Sequence, residues 1–117
     1  MKSEVFEFTR SMKTPNNIES TMNEFLKKVS LKKVIQEENA SSGKIYYTLF
    51  YTDSSEGDCE VRVVRAIGAK AIAKSINESI KNADLFEVTQ TSQNSGHTVL
   101  TALFIKKKRS KKDELEN

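Results

Sequence analysis

Cysteine, proline, histidine and tryptophan are nearly missing: the chain has one Cys, one Pro, one His and no Trp in 117 residues. A lone cysteine, Cys59, excludes an internal disulfide framework and leads us to expect a reducing compartment, cytoplasmic or, in a eukaryote, nuclear. His97 falls in an expected hairpin loop and Cys59 just before a strand, so a nucleophile and base would meet only if the fold brought them together, and we expect no enzyme. No run of His, Cys, Asp and Glu has zinc or calcium spacing, and "AIGAKA" lacks the P-loop pattern, so no metal or cofactor is expected. No apolar stretch nears the roughly 20 residues that span a bilayer, and no membrane partner is expected. "MKSEVFEF" carries no leader-like apolar stretch, and "KDEL" at 112–115 is followed by two further residues, so neither is read as a targeting signal.

What remains is 37% hydrophobic and 30% charged, a soluble globular composition. The length suits one domain with one core, expected over 1–110 with a charged tail at 111–117. Charge is uneven. Residues 1–57 hold eight Lys/Arg against eight Asp/Glu, whereas 58–112 hold eleven against five, a local excess of six within a net charge of +3. Such asymmetry favours a polyanionic partner, although a lysine-rich solvated surface has the same composition.

Two halves, 1–57 and 58–110, repeat one pattern. "EVFEF" alternates as a half-buried strand. "TPNNIESTMNEFLKKV" then supplies Thr14 as a helix N-cap and Pro15 at the first helical position, with Ile18, Met22, Phe25, Leu26 and Val29 on one stripe. "LKKVIQEE" and "KIYYTLFYT" are strands joined through "NASSG", and "DSSEGD" links the halves. "CEVRVVRAI" begins the pattern again, Gly68 turns the chain, and a helix over about 69–82 carries Ala69, Ile72, Ala73, Ile76 and Ile80 on one face. "DLFEVTQTS" and "TVLTALFIKKK" follow around "QNSGH". The expected fold is therefore α+β: two βαββ repeats, six strands and two helices, sharing one core. Residues 22–53 superimpose on 76–107 without a gap and share nine of 32 positions, among them Asn23 with Asn77, Leu31 with Leu85, Val34 with Val88, Gln36 with Gln90 and Phe50 with Phe104. This suggests an internal duplication.

The junction "RAIGAKAIAKSI" is a candidate anion site. A helix start leaves N–H groups aimed outward, and Gly68 lets a ligand come close, so residues 67–71 could receive a phosphate with charge added by Arg65 and Lys70. The run "KKKRSKK", which includes Lys106, Lys107, Lys108 and Arg109, would add contacts independent of sequence. Each feature has a plainer reading: Gly68 as a tight turn, Lys70 and Lys74 as a solvated face, the lysine run as protection of a strand end. Tyr46, Tyr47, Phe50 and Tyr51 could stack bases, or be half core, since alternation sets Tyr46, Thr48 and Phe50 opposite Tyr47, Leu49 and Tyr51.

"VRVVRAIGAKAIAKSINESIKN" resembles the strand, turn and second helix of the Alba superfamily of small nucleic-acid-binding proteins, through Ala66, Gly68, Ala71, Ile72, Ile76 and Ile80. "VTQTS" and "TALFIKKKRSKKDEL" resemble its last two strands and charged tail, and "RSMKTPNNIESTMNEFLKK" is more weakly similar to its first loop and helix. The likeness covers 58–112 and, loosely, 4–29. It fails over 30–57, an extra hairpin, and at "TSQNSGHT", which lacks the family's arginines. The resemblance implies an Alba-like C-terminal half, a homodimer, and a grip on RNA or DNA through Arg10, Lys13, Arg65 and Lys70. Two alternatives stay open: capture of a small phosphorylated ligand, as by phage proteins that sequester immune-signalling nucleotides, and a structural subunit of a ribonucleoprotein.

Overall fold

A computed structural model of the chain describes residues 1–11, 13–39, 41–92 and 98–107. Lys108, Arg109, His97 with its loop 93–97, and the tail 111–117 lie outside the described residues. The element order is β1 (Lys2–Thr9), α1 (Thr14–Leu26), β2 (Val29–Asn39), β3 (Lys44–Asp53), β4 (Cys59–Ile67), α2 (Ala69–Ile80), β5 (Asp84–Ser92) and β6 (Thr98–Lys106). This is the expected α+β fold of two βαββ units. No helix among the described residues is long and apolar enough to cross a membrane.

Each unit forms its own three-stranded antiparallel sheet, ordered β1-β3-β2 and β4-β6-β5. The third strand of each unit lies between the first two, so each helix connects two parallel strands across it. The duplication reaches into the details of pairing. Register slips between Leu31 and Lys33 in β2 and between Leu85 and Glu87 in β5, which are equivalent positions of the repeat. The irregularity thus falls at the same place in both sheets, in keeping with two like units.

In β3 the alternation is strict, with Ile45, Tyr47, Leu49 and Tyr51 buried and Tyr46, Thr48 and Phe50 half-buried on the other face. The buried face joins Ile18, Met22 and Leu26 of α1 in one core. That core also takes Cys59, Val61 and Val63 of β4 and Leu100, Ala102 and Phe104 of β6, so both units share it. Leu103 and Ile105 alternate with these residues and are buried on the opposite face of β6, where α2 packs on β4 and β6. The two sheets meet along β2 and β5, where Gln36 Nε2 donates to Gln90 O at 3.3 Å, while α1 lies between the first sheet and β4.

Three local expectations change. Thr14 is the first residue of α1 rather than its N-cap: Lys13 stands at the cap, and the buried Thr14 Oγ1 accepts the Ser11 N–H at 2.6 Å and donates toward Thr9 O and Ser11 O. The hydroxyl thus closes the β1–α1 turn instead of the helix end. Helix α2 ends at Ile80, because Lys81 is extended and Asn82 takes the left-handed conformation at φ 58°. Val29 begins β2 rather than ending the stripe of α1.

The linker is held by close backbone approach. Gly57 N–H donates to Lys27 O at 2.7 Å, and a Cβ there would lie 2.0 Å from Leu26 O. Its neighbour Asp58 accepts from Ser30 Oγ at 2.7 Å and from Leu31 N–H at 3.0 Å, fastening the start of β2 to that of β4.

Candidate nucleic-acid interface

The strand-to-helix turns of the two units are neighbours. Arg65, near the end of β4, donates from Nη1 to Ser11 O at 2.8 Å, in the turn between β1 and α1. That turn carries Lys13, which is exposed and whose own N–H bonds Ser11 Oγ at 3.2 Å. Two residues beyond Arg65 the chain leaves β4 and reverses through Gly68, at φ 87° and ψ 146°, a conformation L residues avoid. Among the described residues no atom beyond its chain neighbours would lie within 4 Å of a Cβ on Gly68, so its backbone angle is what calls for glycine.

Gly68, Ala69, Lys70 and Ala71 are exposed, among the described residues no side chain caps the helix, and Ile72 N–H donates to Gly68 O at 2.9 Å. The N–H groups of the first turn and the ammonium of Lys70 share one solvent-facing end, where an anion is favoured by both direct donors and the helix dipole.

Arg10 belongs to the same turn but is turned inward. Its Nε lies 3.0 Å from Glu38 Oε1, with both side chains largely buried, so its charge is matched within the fold. Lys106 and Lys107 stand at the opposite end of the second sheet, since β4 and β6 pair Cys59 with Lys106 and Ile67 with Thr98. Nine residue steps at about 3.3 Å each, from Cys59 to Gly68, separate them from Gly68 by about 30 Å. Lys106 is engaged there: Nζ is 3.6 Å from Asp58 Oδ2 and 4.5 Å from the centre of the Phe86 ring. Lys107 is exposed, and its N–H donates to Asp58 O at 2.9 Å.

That far end holds an open groove of about 1070 Å³. Two of its four cations are paired, Arg62 with Glu60 at 3.1 Å and Lys106 with Asp58, and Arg62 also donates to Ser79 O at the end of α2; Lys81 and Lys107 line it as well. Burial would raise the Asp58 carboxyl, but the Ser30 and Leu31 hydrogen bonds and the charge of Lys106 outweigh it and hold it below its ordinary value. The groove thus mixes both signs, with Asp58, Glu60 and Asp84 set among its cations.

Cys59 is fully buried, and desolvation, with the charge of Asp58, pushes its thiol up to about 11. Of the aromatic candidates, Tyr47 is wholly buried and Tyr51 nearly so, leaving Tyr46 and Phe50 half-exposed on the outer face of the first sheet. The structure accordingly gathers Lys13, Arg65, Gly68 and Lys70 at one end and leaves Lys106 and Lys107 at the other. Ser11, whose carbonyl anchors Arg65, carried no signal in the sequence, because a backbone acceptor has no letter. Comparison with family models, with curated proteins and with solved structures yields no match.

Proposed function

We propose that the protein binds RNA or DNA through the sugar-phosphate backbone, at the end where its two strand-to-helix turns meet. The observation that carries this reading is the bond from Arg65 to the Ser11 carbonyl, which joins the two turns into one surface bearing Lys13, Lys70 and the open first turn of α2. Phosphate contacts of this kind position a strand without reading its bases. The Alba-like character of the β4–α2 junction, its homodimer and an intracellular setting belong to the same reading.

The test is a polarisation titration of fluorescent single- and double-stranded RNA and DNA across salt concentrations. A steep fall of log affinity with log salt, made shallower by Lys13→Ala and Lys70→Ala, is the expected result. Absence of binding at low salt would overturn the reading and direct attention to small phosphorylated ligands, detected as a rise in melting temperature.

A further inference from the structure

The two helices hold equivalent places but are unequally covered. Ile18 and Met22 of α1 are 0% exposed and Leu26 1%. Their repeat counterparts Ile72, Ile76 and Ile80 remain partly exposed, and no residue of α2 is buried. The stripes are alike; the surroundings differ. Helix α1 is covered by its own sheet and by β4 of the other, whereas among the described elements α2 packs chiefly on its own sheet.

The internal contact of α1 is specific. Asn23 Nδ2 donates to Val61 O at 2.9 Å while its Oδ1 accepts the Val61 N–H at 2.7 Å, and Glu19 Oε1 accepts the Val63 N–H at 2.6 Å. One helix thus closes the open edge of β4. On α2 the repeat places Asn77 at the position of Asn23, exposed and with no described partner. Asparagine in an exposed helix interior is a poor helix former, and among the described residues no bond to its side chain compensates.

The complementary surface lies at the other end of the molecule. Leu49 pairs with Glu4 and its counterpart Leu103 pairs with Arg62, so by register Ser3 and Val5 occupy the places of Val61 and Val63. Thr9 O, on the same outward-facing set of β1 residues, is reached by Thr14 Oγ1, which fixes the odd-numbered residues as those facing the open edge. Across the sheet, Val5 and Ile35, 58% and 46% exposed, flank Thr48 in one row. A stack that ended here would present a polar cap, not two exposed aliphatic side chains. Charge contributes locally: Glu37 is exposed on this face beside Tyr46, while Glu7 already meets Lys44 Nζ at 3.7 Å and Lys33 stands opposite Phe50. Lys70 and Lys74 are exposed on α2.

We propose that a second copy of this chain docks the outer face of its first sheet on α2, head to tail, with Asn77 bonding the Ser3 N–H and C=O at the edge of the second copy's β1. The contact repeats between molecules the one α1 makes within the molecule. Ala73 replaces Glu19, so the second anchor is missing and the intermolecular contact is weaker than the internal one. Because each copy offers one helix face and one sheet face, the association is heterologous and either closes into a ring or extends. It differs in this from a two-fold homodimer, and it does not depend on nucleic-acid binding.

Sedimentation equilibrium of the full chain over a range of concentrations tests this. The wild type is expected to self-associate, and Asn77→Ala and Val5→Lys each to weaken association roughly tenfold or more. Both positions are exposed, so both variants should melt close to the wild type, checked by circular dichroism. Mixing the two variants should restore association but stop at two chains, since one live helix face meets one live sheet face. A wild type that stays monomeric at millimolar concentration overturns the proposal. So does an Asn77→Ala protein that assembles normally, or a mixture that fails to associate where the wild type does.

Discussion

The Asn23 side chain bonds both backbone groups of Val61, the donor and the acceptor, as a neighbouring strand would. It lets a helix of the first unit satisfy an edge strand of the second. Asn23→Ala should cost about 2–3 kcal/mol, since it strips two hydrogen bonds from a partly buried edge. Asn23→Asp should cost at least as much, because a carboxylate oxygen would replace the donor facing Val61 O. Urea denaturation, read as a lower midpoint with unchanged slope, checks both.

Gly57→Ala should destabilise by about 3 kcal/mol or more, because the new methyl meets the backbone carbonyl of Leu26 and not a side chain that could turn away. A large drop in melting temperature is expected, whereas Ser55→Ala, at an exposed site in the same linker, should change little.

Asp58 carries a pH signature. Its folded-state value lies below its ordinary one, so the stability it contributes is present above the unfolded value and lost as pH falls through the folded value. Asp58→Asn should therefore be less stable than the wild type near neutrality, by about 1–2 kcal/mol for this partly exposed group, with the gap narrowing as the medium turns acid. Chemical denaturation at a series of pH values gives the curve directly.

Cys59 should be inert in the folded protein. With the thiol pushed up to about 11 and no exposed surface, the thiolate fraction at pH 8 is about a thousandth and is shielded from reagents. Labelling by a thiol reagent should proceed only at the rate of opening, and speed up with denaturant.

The two ends of the molecule should respond differently to charge removal if nucleic acid binds at the strand-to-helix turns. Lys13→Ala and Lys70→Ala should each flatten the salt dependence by about one counterion. Lys106→Ala should lower stability instead, since Lys106 is held by Asp58 and Phe86.

Much of the fold was legible in the letters. The period-two runs of β3, the apolar stripes of Ile18, Met22 and Leu26 and of Ile72, Ile76 and Ile80, and the nine shared positions of the repeat are local patterns, and local geometry alone turns them into strands, helices and two like units. Gly68 was legible as a turn because its left-handed angle excludes most other residues. The Thr14 hydroxyl does not cap α1, because the backbone of Thr9 and Ser11 in the preceding turn supplies its partners.

The candidate surface was legible only in part. Charge in the sequence is a property of a residue, but whether that charge is available depends on what the fold sets beside it. Arg10 meets Glu38, Lys106 meets Asp58, and both partners come from another strand or the linker. Arg65 finds Ser11 across 54 positions of chain. The sequence by itself determined two similar βαββ units with amphipathic faces, because those faces follow from periodicity. Only the tertiary structure decided that the units pack with α1 covered and α2 uncovered, because the burial of a helix stripe depends on what lies on its far side.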